Sequence, residues 1–130
     1  MATVLAIEMA IISKLESWLK IRDESDRKEK YLEIFHENAE VDEAGLVQPV
    51  LNFVEFRVVT TPPIYKGRID EFESDDFANL IFKSQCSITN LWYREAWSCH
   101  KSNGKIVKLA VVISQGFPDV TSSMPLEILA

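Results

Sequence analysis

The spacing of apolar residues changes about halfway along the chain. In the N-terminal part the spacing is three to four residues, which lays one apolar stripe along a helix. A first helix is therefore predicted from Val4 to about Arg22, with its stripe at Val4, Ile7, Ile11, Leu15 and Trp18. A polar break follows at 23–26, where Ser25 or Asp26 can cap a short second helix with the apolar members Tyr31, Leu32, Ile34 and Phe35.

A third element between Pro49 and Thr61 has two interpretations. Pro49 suits the first turn of a helix, because its missing amide hydrogen would be unpaired there in any case. The alternation Val-Glu-Phe-Arg-Val over 54–58 instead favours a strand. We expect a helix. In either case the element ends at the two following prolines, because proline disfavours helical geometry in the residue before it.

From residue 64 onward the pattern is typical of β-structure. Strands are predicted at 64–73, 77–88, 91–101 and 105–114, and the short links between them imply an antiparallel meander. Asn103-Gly104 is the strongest local signal, because both central residues of a tight primed turn need positive φ. The last strand is apolar on both faces, which predicts helices on one side and a second subunit on the other.

Composition and charge narrow the functional classes. The 130 residues predict a single domain, 1–130, with a core at about 4–115 and a C-terminal tail at 116–130. A net charge of -6 without any basic run argues against nucleic acid as a partner. No membrane-spanning stretch is evident in the sequence, and Cys86 and Cys99 lack the spacing of a zinc site or a disulfide framework. We therefore expect a cytoplasmic protein without a membrane contact.

A carboxylate within an aromatic row is the main chemical candidate. Alternation along 91–101 puts Tyr93, Glu95, Trp97 and Cys99 on one face of a sheet. A carboxylate in such a row either finds a partner or has its ionisation disturbed. A shift of one residue in register would turn this face outward, and the aromatic groups would then form a dimer surface with Glu95 at its rim.

Three segments resemble one known superfamily when they are taken in order. Residues 31–42, YLEIFHENAEVD, resemble a second helix that runs through F-x-x-x-A-x-V into an acidic first strand. Residues 47–61 resemble a third helix that ends at a proline break, and 103–107 resemble the turn that opens the last strand. The chain is thus similar to the NTF2-like superfamily, in particular its SnoaL-like and ketosteroid-isomerase-like members, over roughly 7–114.

The resemblance implies an α+β fold. In the NTF2-like cone, three N-terminal helices pack on a curved antiparallel β-sheet and leave a pocket at one end. Many members dimerise through the outer face of the sheet, so a homodimer is expected here. Isomerases, dehydratases, cyclases, epoxide hydrolases and non-catalytic binding domains share this cone, so the pocket residues must decide the function.

The resemblance also implies site residues. The general base of the ketosteroid isomerases matches Glu43, with Asp42 one step away, and their second acidic group matches Glu95. In those enzymes the second acid is held neutral by an apolar site, so Glu95 is expected to donate a hydrogen bond to a substrate oxygen. The tyrosine of their first helix is missing, because 16–19 read Glu-Ser-Trp-Leu. This departure argues against a steroid-type isomerase, whereas Arg68, Asp70 and Arg94 are available for an arrangement resembling that of the epoxide hydrolases.

The leading hypothesis is an enzyme that needs no cofactor or metal and transfers a proton on an apolar, oxygenated small molecule, as an isomerase, dehydratase or cyclase. Glu43 or Asp42 removes the proton and Glu95 stabilises the oxygen. The residues expected to contact the substrate are Trp18, Phe82, Tyr93, Arg94, Trp97 and Cys99. The alternative is a non-catalytic ligand-binding or dimerisation module on the same fold, and a third possibility is an acidic protein that binds a basic partner.

Overall fold

The computed structural model describes residues 11–116. Within this range the chain forms three helices and one six-stranded sheet, so the fold class is α+β. In chain order the elements are α1 (Ile11–Leu19), α2 (Glu24–Tyr31), β1 (Phe35–Glu43), β2 (Leu46–Pro49), α3 (Val50–Thr60), β3 (Pro63–Glu73), β4 (Phe77–Cys86), β5 (Trp92–Ser102) and β6 (Lys105–Gly116).

The sheet has the strand order β2-β1-β6-β5-β4-β3. Strands β3 to β6 form the predicted antiparallel meander, but β1 runs parallel to β6, with Val41 opposite Leu109. The sheet is therefore mixed rather than antiparallel throughout. A parallel pair needs a long crossover connection, and the chain between β1 and β6, which includes α3, supplies it. Register shifts in β3 and β5 mark bulges, which bend strands.

Within residues 11–116 the helices differ from the prediction in their position relative to the sheet and in where α2 ends. Only α1 and α2 precede β1 in the described range, and α3 follows the β1–β2 hairpin. Helix α2 starts after Asp23, whose carboxylate accepts the Asp26 N–H at 3.0 Å, and it ends at Tyr31. The predicted helical residue Phe35 instead begins β1, because it pairs with Ile106 of β6. The predicted start of the first helix, with Val4 and Ile7, lies outside the described residues.

Helix α3 confirms the helical interpretation of 49–61. Pro49 is the residue immediately before the helix, and the Thr61 N–H closes its last turn on the Arg57 carbonyl at 2.8 Å. The four-residue spacing of Phe53 and Arg57 puts both side chains on one face. Phe53 is buried against the sheet, whereas Phe56 on another face is exposed. Arg57 therefore lies on the buried side of α3, where it reaches Glu95 of β5.

The four predicted strands after residue 63 are found to within two residues of their expected ends. Asn103 and Gly104 have φ values of 53° and 77°, as the predicted turn requires. The odd-numbered row of β5 points inward, since Glu95, Trp97 and Cys99 are each at most 1% exposed. Phe82 and Ile113 are the partners of Glu95 on the neighbouring strands. The prediction that this row faces the core is confirmed.

The core lies between the helices and the inner face of the sheet. Trp18 of α1 contacts Phe35 edge to face at 4.9 Å between ring centroids, and Trp97 lies between Phe53 and Phe82. This packing attaches α1 and α3 to the strands that carry Glu95 and its neighbours. No helix among residues 11–116 has the length and apolar character needed to cross a membrane.

Candidate functional site

A cleft of about 430 Å³ opens between α3, the β1–β2 hairpin and the ends of β4, β5 and β6. This volume falls within the range of roughly 300–1,000 Å³ that is usual for small-molecule sites. Apolar side chains make much of the wall, and the polar or reactive groups on it are Glu43, Gln48, Arg57, Thr60, Thr61, Cys86 and Tyr93. The cleft is thus apolar with a few polar groups, which is typical of a binding site for a small molecule.

Arg57 and Glu95 form a bidentate ion pair beside this cleft. The two terminal guanidinium nitrogens of Arg57 donate to the two carboxylate oxygens of Glu95, each at 2.8 Å. The Glu95 side chain is 1% exposed and that of Arg57 is 12% exposed. Arg57 therefore separates the buried carboxylate from the cleft and presents the positive charge to it.

Glu95 accepts two further hydrogen bonds from its own sheet. The Ser84 hydroxyl of β4 donates at 2.6 Å, and the Trp97 indole N–H donates at 3.0 Å. A buried carboxylate needs such partners, because burial of an unpaired charge is strongly unfavourable. The sequence suggested a neutral acid that donates to a substrate, whereas the structure surrounds Glu95 with donors. Glu95 therefore contacts Arg57 with both carboxylate oxygens and does not itself line the cleft.

Arg57 keeps donors that Glu95 does not use. A guanidinium has five N–H groups, and Glu95 takes one from each terminal nitrogen. Across residues 11–116 the side chain of Arg57 donates no other hydrogen bond. Its guanidinium carbon lies 5.6 Å from the centre of the Phe53 ring, which supports it from one side. A ligand oxygen in the cleft can therefore meet a fixed cation with free N–H groups.

The structure separates the two predicted base residues. Glu43, at the end of β1, is half-buried and lines the cleft together with Arg57 and Tyr93. Asp42 accepts the backbone N–H of Gly45 at 2.9 Å and stabilises the turn of the β1–β2 hairpin. Asp42 is not among the residues that line the cleft. The cleft therefore brings together Glu43 and Arg57, with Glu95 behind Arg57.

The predicted substrate-binding residues lie in several places. Tyr93 lines the cleft, whereas Trp18 and Trp97 border a void of about 50 Å³ that also touches Arg57. Phe82 stacks on Tyr65 in the core at 5.1 Å. Arg94 pairs in register with Lys83 and Ser114, on the sheet face opposite to Glu95. Cys99 is fully buried, and its burial raises the pKa of its thiol to about 12.

Two ionisable residues of the cleft were missed in the sequence. Arg57 lies in the segment that could have been a helix or a strand, and it was not singled out there. It and Glu55 are the only charged residues of α3. Cys86 appeared as an ordinary strand residue, but hydrogen bonds from the Thr89 hydroxyl and backbone N–H lower the pKa of its thiol. The requirement that a buried Glu95 find a cation was the available signal for Arg57. No group of three or more His, Cys, Asp or Glu side chains within 11–116 is arranged to hold a metal ion.

Comparison with known proteins identifies the fold. No family model and no curated protein matches the sequence. Among solved structures, an NTF2-like protein of unknown function from Cytophaga hutchinsonii matches with a TM-score of 0.58 at 13% identity, over 82% of this chain and 89% of that chain. The chain adopts the NTF2-like fold.

Two further structures with this NTF2-like fold carry names that refer to an activity. A candidate isomerase of the SnoaL-like family from Agrobacterium tumefaciens matches with a TM-score of 0.63 at 10% identity, over 82% of this chain and 97% of that one. IdmH, a candidate polyketide cyclase from Streptomyces antibioticus, matches with a TM-score of 0.62 at 13% identity, over 95% and 99%. At these identities the similarity shows the NTF2-like fold and leaves the activity to the site.

Proposed function

We propose that the chain is an enzyme that transfers a proton on a small, apolar, oxygenated substrate without a cofactor, as an isomerase, dehydratase or cyclase. The observation that carries this proposal is the Arg57–Glu95 pair, which presents a fixed cation to a cleft that also contains Glu43. The names of the structural neighbours, which include candidate cyclases and isomerases, support the reaction class.

Arg57 is the group that binds the substrate oxygen in this proposal. Proton removal next to a carbonyl leaves negative charge on that oxygen, and donors fixed in advance stabilise the charge without reorganising. Glu95 and Phe53 supply the fixed orientation, through two hydrogen bonds of 2.8 Å and the ring face respectively. Glu95 is therefore a positioning residue, while Arg57 is the catalytic residue.

Glu43 is the general base. It lines the same cleft as Arg57, and the apolar Leu46 and Ile113 lie on that wall as well. A substrate held by Arg57 would thus lie within a cleft that has a single carboxylate on its wall. Asp42 is a weaker candidate, because its carboxylate is used on the Gly45 N–H. Tyr93 also lines the cleft and would give the substrate an aromatic surface.

The experiment is a comparison of variants on a panel of cyclic ketones, epoxides and hydroxylated polyketides. Glu43→Gln is expected to lower kcat by about 100-fold or more, the usual contribution of a general base. Arg57→Lys keeps the charge but loses the bidentate geometry, and a loss of about 100-fold is expected. Glu40→Gln, on an exposed position of the same strand, is the matched control.

Asp42→Asn distinguishes the two adjacent carboxylates. A loss of activity as large as that of Glu43→Gln would transfer the base role to Asp42 or to the hairpin as a whole. Activity that survives Glu43→Gln and Arg57→Lys, or a panel without any turnover, would sink the enzymatic proposal. The chain would then be a ligand-binding or dimerisation module on the same fold, which isothermal titration with the same panel would detect.

We also propose that two copies associate through the outer face of the sheet in the cytoplasm. Ile81, Ala96 and Val112 lie side by side on that face, and Val112 is 66% exposed. The free thiols of Cys86 and Cys99 suit a reducing compartment. Val112→Lys is expected to convert a dimer into a monomer in analytical ultracentrifugation, whereas Leu32→Lys, at an exposed position outside the sheet, should leave the mass unchanged. A monomeric unmodified chain would contradict the association.

A further inference from the structure

A second cavity, of about 130 Å³, lies where α1 leads into α2, against α3 and the start of β3. Its wall carries Lys20, Arg22 and Arg27, and it carries no carboxylate. The whole chain has a net charge of -6, so a small cavity lined by three cations contrasts with the acidic character of the rest of the protein. This cavity and the cleft share only Pro63 among their lining residues.

Arg27 is buried beside this cavity with one donor unsatisfied. The residue is 4% exposed. One terminal nitrogen donates to the Ile21 carbonyl at 3.3 Å, and the other lies 3.3 Å from a carboxylate oxygen of Glu55. The Nε–H group has no hydrogen-bond partner and is shielded from solvent. A buried donor on a charged group normally has an acceptor, so this group indicates that an acceptor is missing.

The neighbouring carboxylates are already engaged. Asp23 accepts the Asp26 N–H at the start of α2, and Glu16 is bound by Arg68 and Tyr65. Glu55 pairs with Arg27 itself. Within residues 11–116, Lys20 and Arg22 have no carboxylate within ion-pair distance. Lys20 lies 5.4 Å from the centre of the Tyr65 ring and near Glu16, so the cavity wall is cationic and its nearest carboxylates lie outside the wall.

We propose that this cavity is a binding site for a small oxyanion, either a phosphate or a carboxylate group. Its volume of about 130 Å³ is well above the roughly 10–15 Å³ that one water needs, so a small polyatomic anion fits. The Arg27 side chain would turn to bring its unpartnered Nε–H, now shielded from solvent, toward the anion, and Lys20 and Arg22 would contribute charge from the surface. Guanidinium groups form strong charge-assisted hydrogen bonds with both types of anion. This site is independent of the chemistry proposed for the cleft.

The test is a titration of ¹⁵N-labelled protein with sodium phosphate and, separately, with sodium acetate, at an ionic strength held constant with sodium chloride. The Arg27 Nε–H resonance, assigned through its loss in Arg27→Lys, is expected to shift and to saturate with at least one of the two anions. Lys20→Ala with Arg22→Ala is expected to raise the Kd by about two- to fivefold per cation removed. The anion with the lower Kd identifies the ligand class.

Lys105→Ala with Lys108→Ala is the matched control, because it makes the same change of net charge on exposed positions of β6. This control should bind the anion with unchanged Kd. Thermal unfolding gives a second readout, since a ligand that binds only the folded chain raises its Tm. A shift that does not saturate, or one that sodium chloride reproduces, would overturn the proposal and leave a buried water as the partner of Arg27. An equal Kd in the Lys20→Ala, Arg22→Ala double variant would also overturn it.

Discussion

The inner face of the sheet carries two buried ion pairs, and they differ in what surrounds them. Arg57 and Glu95 meet beside the cleft, and Arg57 retains N–H groups that no described residue uses. Lys101 and Glu73 meet at 2.9 Å further along, with side chains 5% and 7% exposed, and Glu73 also accepts the Ile12 N–H of α1. The second pair attaches a helix to the sheet. Both pairs are buried, but only Arg57 of the first pair lines the cleft.

The two cysteines show the same contrast. Cys86 lines the cleft, and the hydrogen bonds from Thr89 lower the pKa of its thiol. Cys99 lies in the core, where burial first and the nearby Glu73 second raise its pKa to about 12. Both thiols are buried, but Cys86 lines the cleft and has a lowered pKa, whereas Cys99 has a raised one.

The largest effect is expected when one partner of either pair is removed. Glu95→Leu and Lys101→Met should each lower the free energy of unfolding by about 3–5 kcal/mol, because each leaves an unpaired buried charge. Urea denaturation measures this loss, and Lys105→Met on an exposed position should stay within about 0.5 kcal/mol. A small loss of stability in Lys101→Met alone would show that solvent reaches Glu73. The Lys101–Glu73 pair would then not be a buried pair comparable with Arg57–Glu95.

Alkylation sharpens the contrast between the thiols. Iodoacetamide should modify Cys86 about tenfold faster than Cys99 in the folded chain, because the thiolate is the nucleophile and only Cys86 borders an open volume. Mass spectrometry of the digested protein gives both rates, and Cys86→Ser provides the rate of Cys99 by itself. Equal rates would mean that the chain opens globally before either thiol reacts.

Replacing both members of an ion pair by apolar residues distinguishes the contribution of the pair to stability from its contribution to ligand binding. Arg57→Met with Glu95→Leu, and Lys101→Met with Glu73→Leu, should each return to within about 1–2 kcal/mol of the original stability, because no lone charge remains. Only the first double variant should lose ligand binding in the cleft. Double-mutant cycles measured by urea denaturation and titration provide both quantities. Equal loss of binding in the two variants would show that the cleft depends on general packing.

The smallest effect is expected at the surface, where Arg68 binds Glu16. The hydrogen bond from Arg68 is the main cause that lowers the pKa of Glu16 below 4.5, so the folded state favours the charged form. This stabilisation is present above the unfolded pKa and is lost as the pH falls through the folded pKa. It should be under about 1 kcal/mol, because Arg68 is 39% exposed.

Glu16→Gln should therefore destabilise the chain at neutral pH, and the difference should shrink at about pH 3. Unfolding by urea at both pH values measures the change. A difference that does not depend on pH would assign the effect to packing around Tyr65 rather than to charge.

Short-range sequence patterns were sufficient to predict the strands and turns of the second half of the fold. The positive φ values of Asn103 and Gly104 follow from turn chemistry, and the alternation along β5 predicted which side chains face the core. These properties depend on neighbours within a few residues. The inward position of Glu95, and hence its need for a partner, could be predicted for the same reason.

The partner itself could not be predicted, because it depends on contacts distant in sequence. Arg57 lies 38 positions before Glu95, on an element whose alternation also suited a strand. Phe35 looked helical beside Tyr31, but its pairing with Ile106 outweighed the local preference. The parallel pairing of β1 with β6 also cannot be predicted from the spacing of apolar residues within either strand. The position of Glu43 on the cleft wall therefore became known only from the tertiary structure.

The β1–β2 hairpin has a consequence for how this chain can diversify. Its two-residue turn, Ala44-Gly45, joins β1 to the four-residue β2 at one margin of the sheet, and the hairpin contributes Glu43, Leu46 and Gln48 to the cleft. Arg57 and its support come from other elements. Insertions or exchanges in this hairpin can therefore change the wall of the cleft while Arg57 and its support stay in place, so the cleft can be reshaped without rebuilding the interior.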